Sequence, residues 1–251
     1  MINMKQASMK QAGVKQAIGQ FVLLALGIGA SSTALAATAT VTATDSGKPL
    51  ALRVQHELSA LGKDGVKRDV SFGERVYRNG DSVWIEREVP ASVRHAHDEA
   101  EHAAGDKGHK HMDVSTAARW IERKPNGELN VRLVSDQMRK TFEVRQGDYG
   151  NVGFDGSWAA ASHLLDPALL KTMKANGPVR DGVQEYTARR GDERVTVQWD
   201  VAGQYPRLVQ SLNTSGTQKK ITRVTSVATP ASAPWSRTRG YAQGDYSDLL
   251  D

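Results

Sequence analysis

Alternation of apolar and polar residues is the strongest pattern in this chain, and it predicts β-strands. The alternation is clearest over residues 50–60, where leucine, valine and alanine are separated by charged or polar side chains. Shorter apolar runs predict further strands at 66–77, 83–85, 118–123, 129–133, 142–144, 183–189, 195–199, 208–209 and 221–227. The pattern therefore predicts a mainly β (α+β) domain built on a curved antiparallel sheet.

The dipeptide Asn79-Gly80 separates two of these runs. Asn-Gly is a strong signal for a two-residue hairpin turn, in which both central residues take a positive φ. We therefore predict a tight hairpin centred on Asn79 and Gly80, with its second strand ending at Pro90.

The apolar period changes to a helical one after Trp158. Asp166 and Pro167 have the residue types of an N-cap and a first helical position, and Gly177-Pro178 that of a helix end. One or two short helices are therefore predicted between the strands.

Two histidines lie inside these predicted elements. His56 falls on the apolar face of the first strand, which favours a core histidine with a hydrogen-bond partner over a metal ligand. His163 lies in the helical segment and is interpreted as a packing or surface residue.

The first 36 residues are typical of a secretory signal peptide. Three lysines precede an apolar run from Phe21 to Ala30, and Ala34-Leu35-Ala36 forms a small-residue cleavage site. A membrane anchor is the alternative, but glycine and serine interrupt a run that is shorter than the roughly 20 residues needed to span a bilayer. We predict cleavage after Ala36 and a periplasmic mature chain without a membrane span.

Net charge and the number of cysteines limit which binding partners and which metal sites this chain can have. The chain has 33 Lys and Arg against 28 Asp and Glu, a net charge of +5. Three of those lysines lie in the predicted signal peptide, so the mature chain carries only +2, and nucleic acid is not the predicted partner. The absence of cysteine excludes disulfides and thiolate metal sites.

A histidine-rich loop over residues 91–115 connects two consecutive predicted strands, and it contains five of the seven histidines. Imidazole and carboxylate ligands suit zinc, copper or nickel, so the loop is a candidate transition-metal site. The predicted ligands are His95, His97, His102, His109 and His111, with Asp98, Glu101 and Met112 as auxiliaries.

The alternative is that this loop is a charged, solvated insertion. In an extended backbone each His-x-His pair places both rings on one side, about 7 Å apart, which permits chelation of one ion. Ordering a flexible loop costs entropy, so moderate affinity and little discrimination between metals are expected.

Known catalytic signatures do not match this chain. His95-Ala96-His97-Asp98 resembles the start of a binuclear metallohydrolase motif, but Glu99 and Ala100 stand where that motif has aspartate and histidine. The His-Glu-x-x-His and Gly-x-Ser-x-Gly motifs do not occur. The sequence therefore predicts a non-enzymatic binding protein.

Residues 229–251 form a Pro/Ala/Ser linker followed by an aromatic and acidic tail. A frayed terminus is one interpretation. The others are a docking peptide for a periplasmic protein, or a strap across an apolar groove of the same domain. The candidate contact residues are Trp235, Tyr241, Tyr246, Leu249 and Leu250.

Over about residues 48–228 the order of elements resembles the periplasmic LolA-like half-barrel family. The phrases that carry the resemblance are Glu-Arg-Val-Tyr-Arg-Asn-Gly-Asp-Ser-Val-Trp at 74–84 and Val-Gln-Trp-Asp with Tyr-Pro-Arg-Leu-Val at 197–209. That family includes the outer-membrane lipoprotein carrier and the lipid-sensing domain of the RseB regulator.

The resemblance implies a curved sheet around helices with an apolar cavity for acyl chains. The histidine-rich loop and the aromatic tail depart from the carrier, and its arginine latch has no assignable counterpart here. Two functions follow: binding of a transition metal by the loop, or carriage or sensing of lipid or lipoprotein through the cavity.

Overall fold

The computed structural model describes residues 48–89, 114 and 116–250, which form a single twelve-stranded sheet. The strands, in chain order, are β1 Leu50–Leu61, β2 Lys67–Asn79, β3 Ser82–Glu88, β4 Ala118–Arg123, β5 Leu129–Ser135 and β6 Lys140–Val144. They continue with β7 Lys174–Arg180, β8 Val183–Arg190, β9 Glu193–Asp200, β10 Tyr205–Asn213, β11 Gln218–Val227 and β12 Ala242–Asp245.

The strand order across the sheet is β12-β6-β5-β4-β3-β2-β1-β11-β10-β9-β8-β7. All neighbours are antiparallel except β12, which runs parallel to β6. The predicted mainly β fold with a curved antiparallel sheet is therefore confirmed. The segment with the histidine-rich loop joins β3 to β4, which are adjacent antiparallel strands as predicted.

The β2–β3 hairpin turns one residue later than predicted. Asn79 pairs with Ser82 and closes the ladder, so Gly80 and Asp81 are the central turn residues. Gly80 has a φ of +55°, whereas Asn79 is a strand residue. The prediction that Asn79 takes a positive φ was therefore wrong.

The helices are shorter than the sequence pattern indicated. They are the 3₁₀ helix Gln146–Val152, α1 Trp158–His163, α2 Pro167–Leu170 and two 3₁₀ turns, Pro234–Thr238 and Tyr246–Leu249. Asp166 caps α2 as predicted, accepting a hydrogen bond from the Ala168 amide at 2.8 Å. Gly177 and Pro178 do not end this helix, because they lie within edge strand β7, where a proline is tolerated. Within the described ranges no helix has the length and apolar character that crossing a bilayer requires.

One face of the sheet, here called the inner face, packs against the helical segments. Its larger apolar cluster joins β1–β6 to α1 and the first 3₁₀ helix, and includes the fully buried Val83, Ile121, Val131 and Leu133. A second cluster joins β9 to the α2 region through residues such as Val197. The two clusters leave the middle of the inner face between them.

The C-terminal tail covers part of the opposite, outer face. The Trp235 ring stacks on Trp120 with 6.2 Å between ring centroids and an interplanar angle of 5°, and it lies 5.3 Å from the Tyr77 ring. Arg237 pairs with Glu86 at 3.1 Å and with Asp136 at 2.9 Å. These contacts fix the first part of the tail on the outer face.

The same tail then passes around the edge of the sheet. Strand β12 pairs with β6, and Tyr246 follows it into the larger inner-face cluster, where only 4% of the residue is exposed. Arg145 binds Asp245 at 2.7 Å, and Lys140 binds Asp248 at 3.1 Å. The tail therefore lies across apolar surfaces of its own domain on both faces.

Candidate functional site

A buried polar cluster lies in the middle of the inner face. The alternation of β1 turns His56 inward, where its Nδ1 lies 3.1 Å from Thr222 Oγ1 on β11. The other ring nitrogen, Nε2, lies 3.1 Å from Glu74 Oε2 on β2. Only 8% of His56 is exposed, so the prediction of a core histidine with hydrogen-bond partners is confirmed.

Arg119 connects this cluster to the first 3₁₀ helix. Its Nη2 lies 3.5 Å from Glu74 Oε1, and its Nη1 donates to the carbonyl oxygens of Val152 at 3.0 Å and Gly153 at 2.6 Å. Gly153 has a φ of +68°, and a Cβ there would lie 3.2 Å from the guanidinium. The turn after the 3₁₀ helix therefore needs glycine both for its backbone conformation and for the approach of Arg119.

Glu74 is ionised in this setting. Burial raises the pKa of its carboxyl, but the hydrogen bond with His56 and the positive charges of Arg119 and Arg87 lower the pKa by more than burial raises it, so the net shift is downward. A carboxylate with this many donors favours its charged form. The cluster therefore places a negative charge among three basic side chains in the middle of the sheet.

Apolar side chains continue the inner face beside this cluster. Leu58 opposes Val70, Phe72 opposes His56, and Val209 opposes Thr222. All four apolar residues are half-buried, and Leu58, Val70 and Phe72 belong to none of the three packed apolar clusters. We call Leu58, Val70, Phe72 and Val209 the central band.

Two basic residues flank the central band. The Arg87 guanidinium lies 4.3 Å from the centroid of the Phe72 ring. Lys220 is half-buried and pairs across the strands with Leu58. Apolar surface next to cationic groups matches an amphipathic ligand that has an acyl chain and an anionic head.

No protein-family model matches the chain, and no curated protein does. A structure of PNGF-II is 11% identical with a TM-score of 0.35, covering 80% of this chain and 33% of that one. A LolA superfamily protein from Nitrosomonas europaea is 8% identical with a TM-score of 0.31, covering 73% of this chain and 87% of that one.

A chain in the Pseudomonas aeruginosa MucA/MucB complex is 13% identical with a TM-score of 0.27, covering 72% of this chain and 53% of that one. The chain thus spans about a third of PNGF-II and about half of the chain from the MucA/MucB complex. Solved structures similar to this chain include LolA superfamily proteins, as the sequence resemblance implied. At these TM-scores the likeness assigns no ligand to this chain.

The predicted metal ligands lie outside the described residues. These are His95, His97, His102, His109, His111, Asp98, Glu101 and Met112. Within the part of the chain that is described, no three His, Asp or Glu side chains are grouped to hold a metal ion. Metal binding by the loop therefore stays a prediction from the sequence.

The loop leaves the sheet close to the polar cluster. It follows β3, which ends at Glu88, and Val114 near its C-terminal end packs against the larger inner-face cluster. The next strand, β4, begins at Ala118 and carries Arg119. The base of the loop therefore lies beside the candidate site.

The five predicted contact residues of the tail have different environments. Tyr246 is buried, and Leu249 packs against the larger inner-face cluster. Trp235 and Tyr241 pack against the outer-face cluster, whereas 65% of Leu250 is exposed. Binding of a partner protein by the tail stays a prediction, and four of these side chains contact their own domain.

The sequence interpretation missed the partners of His56. The alternation of β2 could have predicted that Glu74 faces inward, because Glu74 has the same parity as the buried Val76. Arg119 likewise shares its parity with the buried Ile121. Thr222 gave no such signal, because β11 buries residues of both parities, Ile221 and Val224.

Proposed function

We propose that this chain is a non-enzymatic periplasmic binding protein that takes an acyl chain of a lipid or lipoprotein on the inner face of its sheet. The observation that carries the proposal is the central band, in which Leu58, Val70 and Phe72 are half-buried outside the packed apolar clusters. The fourth member, Val209, packs against the cluster of β9 and α2. Folded proteins normally cover contiguous apolar surface, and surface that remains accessible marks a binding region.

The charges around the band support a ligand with an anionic head. Arg87 and Lys220 would face the carboxylate or phosphate, while the acyl chain packs along Leu58 and Val70. Each buried methylene contributes about 0.8 kcal/mol, so about ten of them correspond to a micromolar dissociation constant.

The test is a fluorescence titration of the full mature chain, from Ala37 onward, with a fluorescent fatty acid. Val70→Asp should weaken probe binding at least tenfold, because it places a charge in the central band. Val227→Asp is the matched control, since Val227 is on the outer face and 43% exposed, and it should bind like the wild type. Equal binding by both variants would refute the proposal.

Displacement experiments then separate the two ligand classes. A lysophospholipid and a triacylated peptide should each compete with the fluorescent fatty acid if the acyl chain alone is recognised. Competition by the peptide alone would assign the site to lipoproteins.

Binding of zinc, copper or nickel by the histidine-rich loop is a second candidate function, favoured by five histidines within the 17 positions from His95 to His111. Calorimetric titration of the metal-free mature chain should show micromolar binding that disappears when the five histidines become alanine. That variant should keep its affinity for the fatty-acid probe, because the central band is unchanged. Absence of heat with all three metals in the wild type would exclude this function.

A further inference from the structure

A row of basic side chains crosses the outer face at one end of the sheet. Arg189 on β8 opposes Arg194 on β9, which opposes Leu212 on β10, which opposes Lys219 on β11. Neighbouring strands are about 4.8 Å apart, so the three cations lie within roughly 15 Å of one another. We call Arg189, Arg194 and Lys219 the basic row.

The basic row is exposed, and none of its members forms an ion pair with another described residue. Like charges directly opposite one another on adjacent strands destabilise a sheet. Arg189 facing Arg194 is therefore an arrangement that folding alone does not favour. An anionic partner would compensate for it.

Exposed apolar side chains lie at the same end of the sheet. Leu212 stands within the row and is 37% exposed, while Leu61 and Val66 in the β1–β2 hairpin are 48% and 50% exposed. The Leu61 amide donates to the Thr217 carbonyl oxygen at 2.8 Å, which holds the β1–β2 and β10–β11 hairpins side by side. Cations and apolar tips thus share one surface.

We propose that this end of the sheet docks on the surface of an anionic lipid bilayer. Basic side chains are attracted to anionic headgroups, and leucine and valine at hairpin tips can enter the boundary between headgroups and acyl chains. The surface lies on the outer face, away from the central band. It therefore does not depend on the proposed function.

The experiment is sedimentation of the full mature chain with lipid vesicles. Binding should be strong to phosphatidylcholine vesicles that contain a third of phosphatidylglycerol, and weak to phosphatidylcholine alone. It should fall as salt rises from about 0.1 M to about 1 M, because the Debye length falls from about 10 Å to about 3 Å.

Reversing the basic row by Arg189→Glu, Arg194→Glu and Lys219→Glu should reduce the partition coefficient at least twentyfold. The matched control is Lys48→Glu, Lys124→Glu and Arg180→Glu, which changes the net charge equally at exposed positions of the opposite end. An equal loss in the control variant, or equal binding of the wild type to neutral vesicles, would overturn the proposal.

The single substitution Arg189→Glu separates binding from folding. It replaces a like-charge pair by an opposite-charge pair, so it should raise the midpoint of thermal unfolding while reducing vesicle binding about fivefold or more. A variant that is more stable and still binds like the wild type would also refute the proposal. The fatty-acid titration should be unchanged in all these variants, which keeps this test distinct from that of the central band.

Discussion

Replacing Tyr246 by alanine is expected to lower the free energy of unfolding by about 3–5 kcal/mol, the range found for large aromatic side chains in protein cores. Tyr246 is only 4% exposed and belongs to the larger inner-face cluster, although only five residues follow it in the sequence. Its removal leaves a cavity within the larger inner-face cluster. Urea denaturation followed by tryptophan fluorescence measures the change.

The matched control for this prediction is Leu250→Ala. Leu250 lies four residues further along the tail and is 65% exposed, so its truncation should change the free energy of unfolding by less than about 0.5 kcal/mol. If both variants unfold like the wild type, the tail does not contribute to the core. If Leu250→Ala abolishes capture of a periplasmic partner while stability is kept, the predicted docking role of the tail gains support.

Replacing Glu74 by glutamine is expected to lower the free energy of unfolding by about 2 kcal/mol. The substitution keeps the shape of the side chain but leaves Arg119 without its anionic partner. Disrupting a fully buried ion pair typically costs about 3–5 kcal/mol. Here the side chains of Glu74 and Arg119 are 20% and 19% exposed. Water therefore screens part of the interaction, and the expected loss of stability is smaller.

The direction of the pKa shift of Glu74 determines how its contribution to stability changes with pH. The pKa of Glu74 is lower in the folded chain than in the unfolded one. A lowered carboxyl pKa contributes stability at pH values above the unfolded pKa of about 4.3, and that contribution disappears as the pH falls through the folded pKa. The stability difference between wild type and Glu74→Gln should therefore be largest near neutral pH and shrink in acid.

Glu128→Gln is the control for the carboxylate. Glu128 lies in the β4–β5 turn and is exposed; its side chain forms an ion pair with Lys124 at 3.5 Å and a hydrogen bond with Asn126. Exposed pairs of this kind contribute little, so no measurable change in stability is expected. A pH-independent difference between wild type and Glu74→Gln would contradict the role assigned to the Glu74 charge.

Local patterns identified most strands, because one face of each is buried. The alternation over residues 50–60 correctly placed His56 on the inward face, and the Asp166-Pro167 pair correctly marked the start of α2. Both signals depend on neighbouring residues alone, namely the two-residue period of a strand and the unpaired amides at a helix start.

The sequence pattern did not predict the edge strands β7 and β12. Their sequences, Lys-Ala-Asn-Gly-Pro-Val-Arg and Ala-Gln-Gly-Asp, have little intrinsic preference for strands. Each is extended because it pairs with a neighbouring strand, β8 or β6. Pairing with a partner that is distant in sequence, as for β12, leaves no local pattern.

The sequence by itself determined the fold class, the inward orientation of His56, the charge of the chain and the composition of the histidine-rich loop, because each follows from residue types and short periods. Only the tertiary structure decided that Thr222, 166 positions away, contacts His56 and that Arg119 contacts Glu74. It also decided that Trp235 and Tyr246 lie on opposite faces, and that three cations align near Leu212. The reason is physical: strand register and packing are set by contacts distant along the chain, and residue types carry no record of which distant residues will meet.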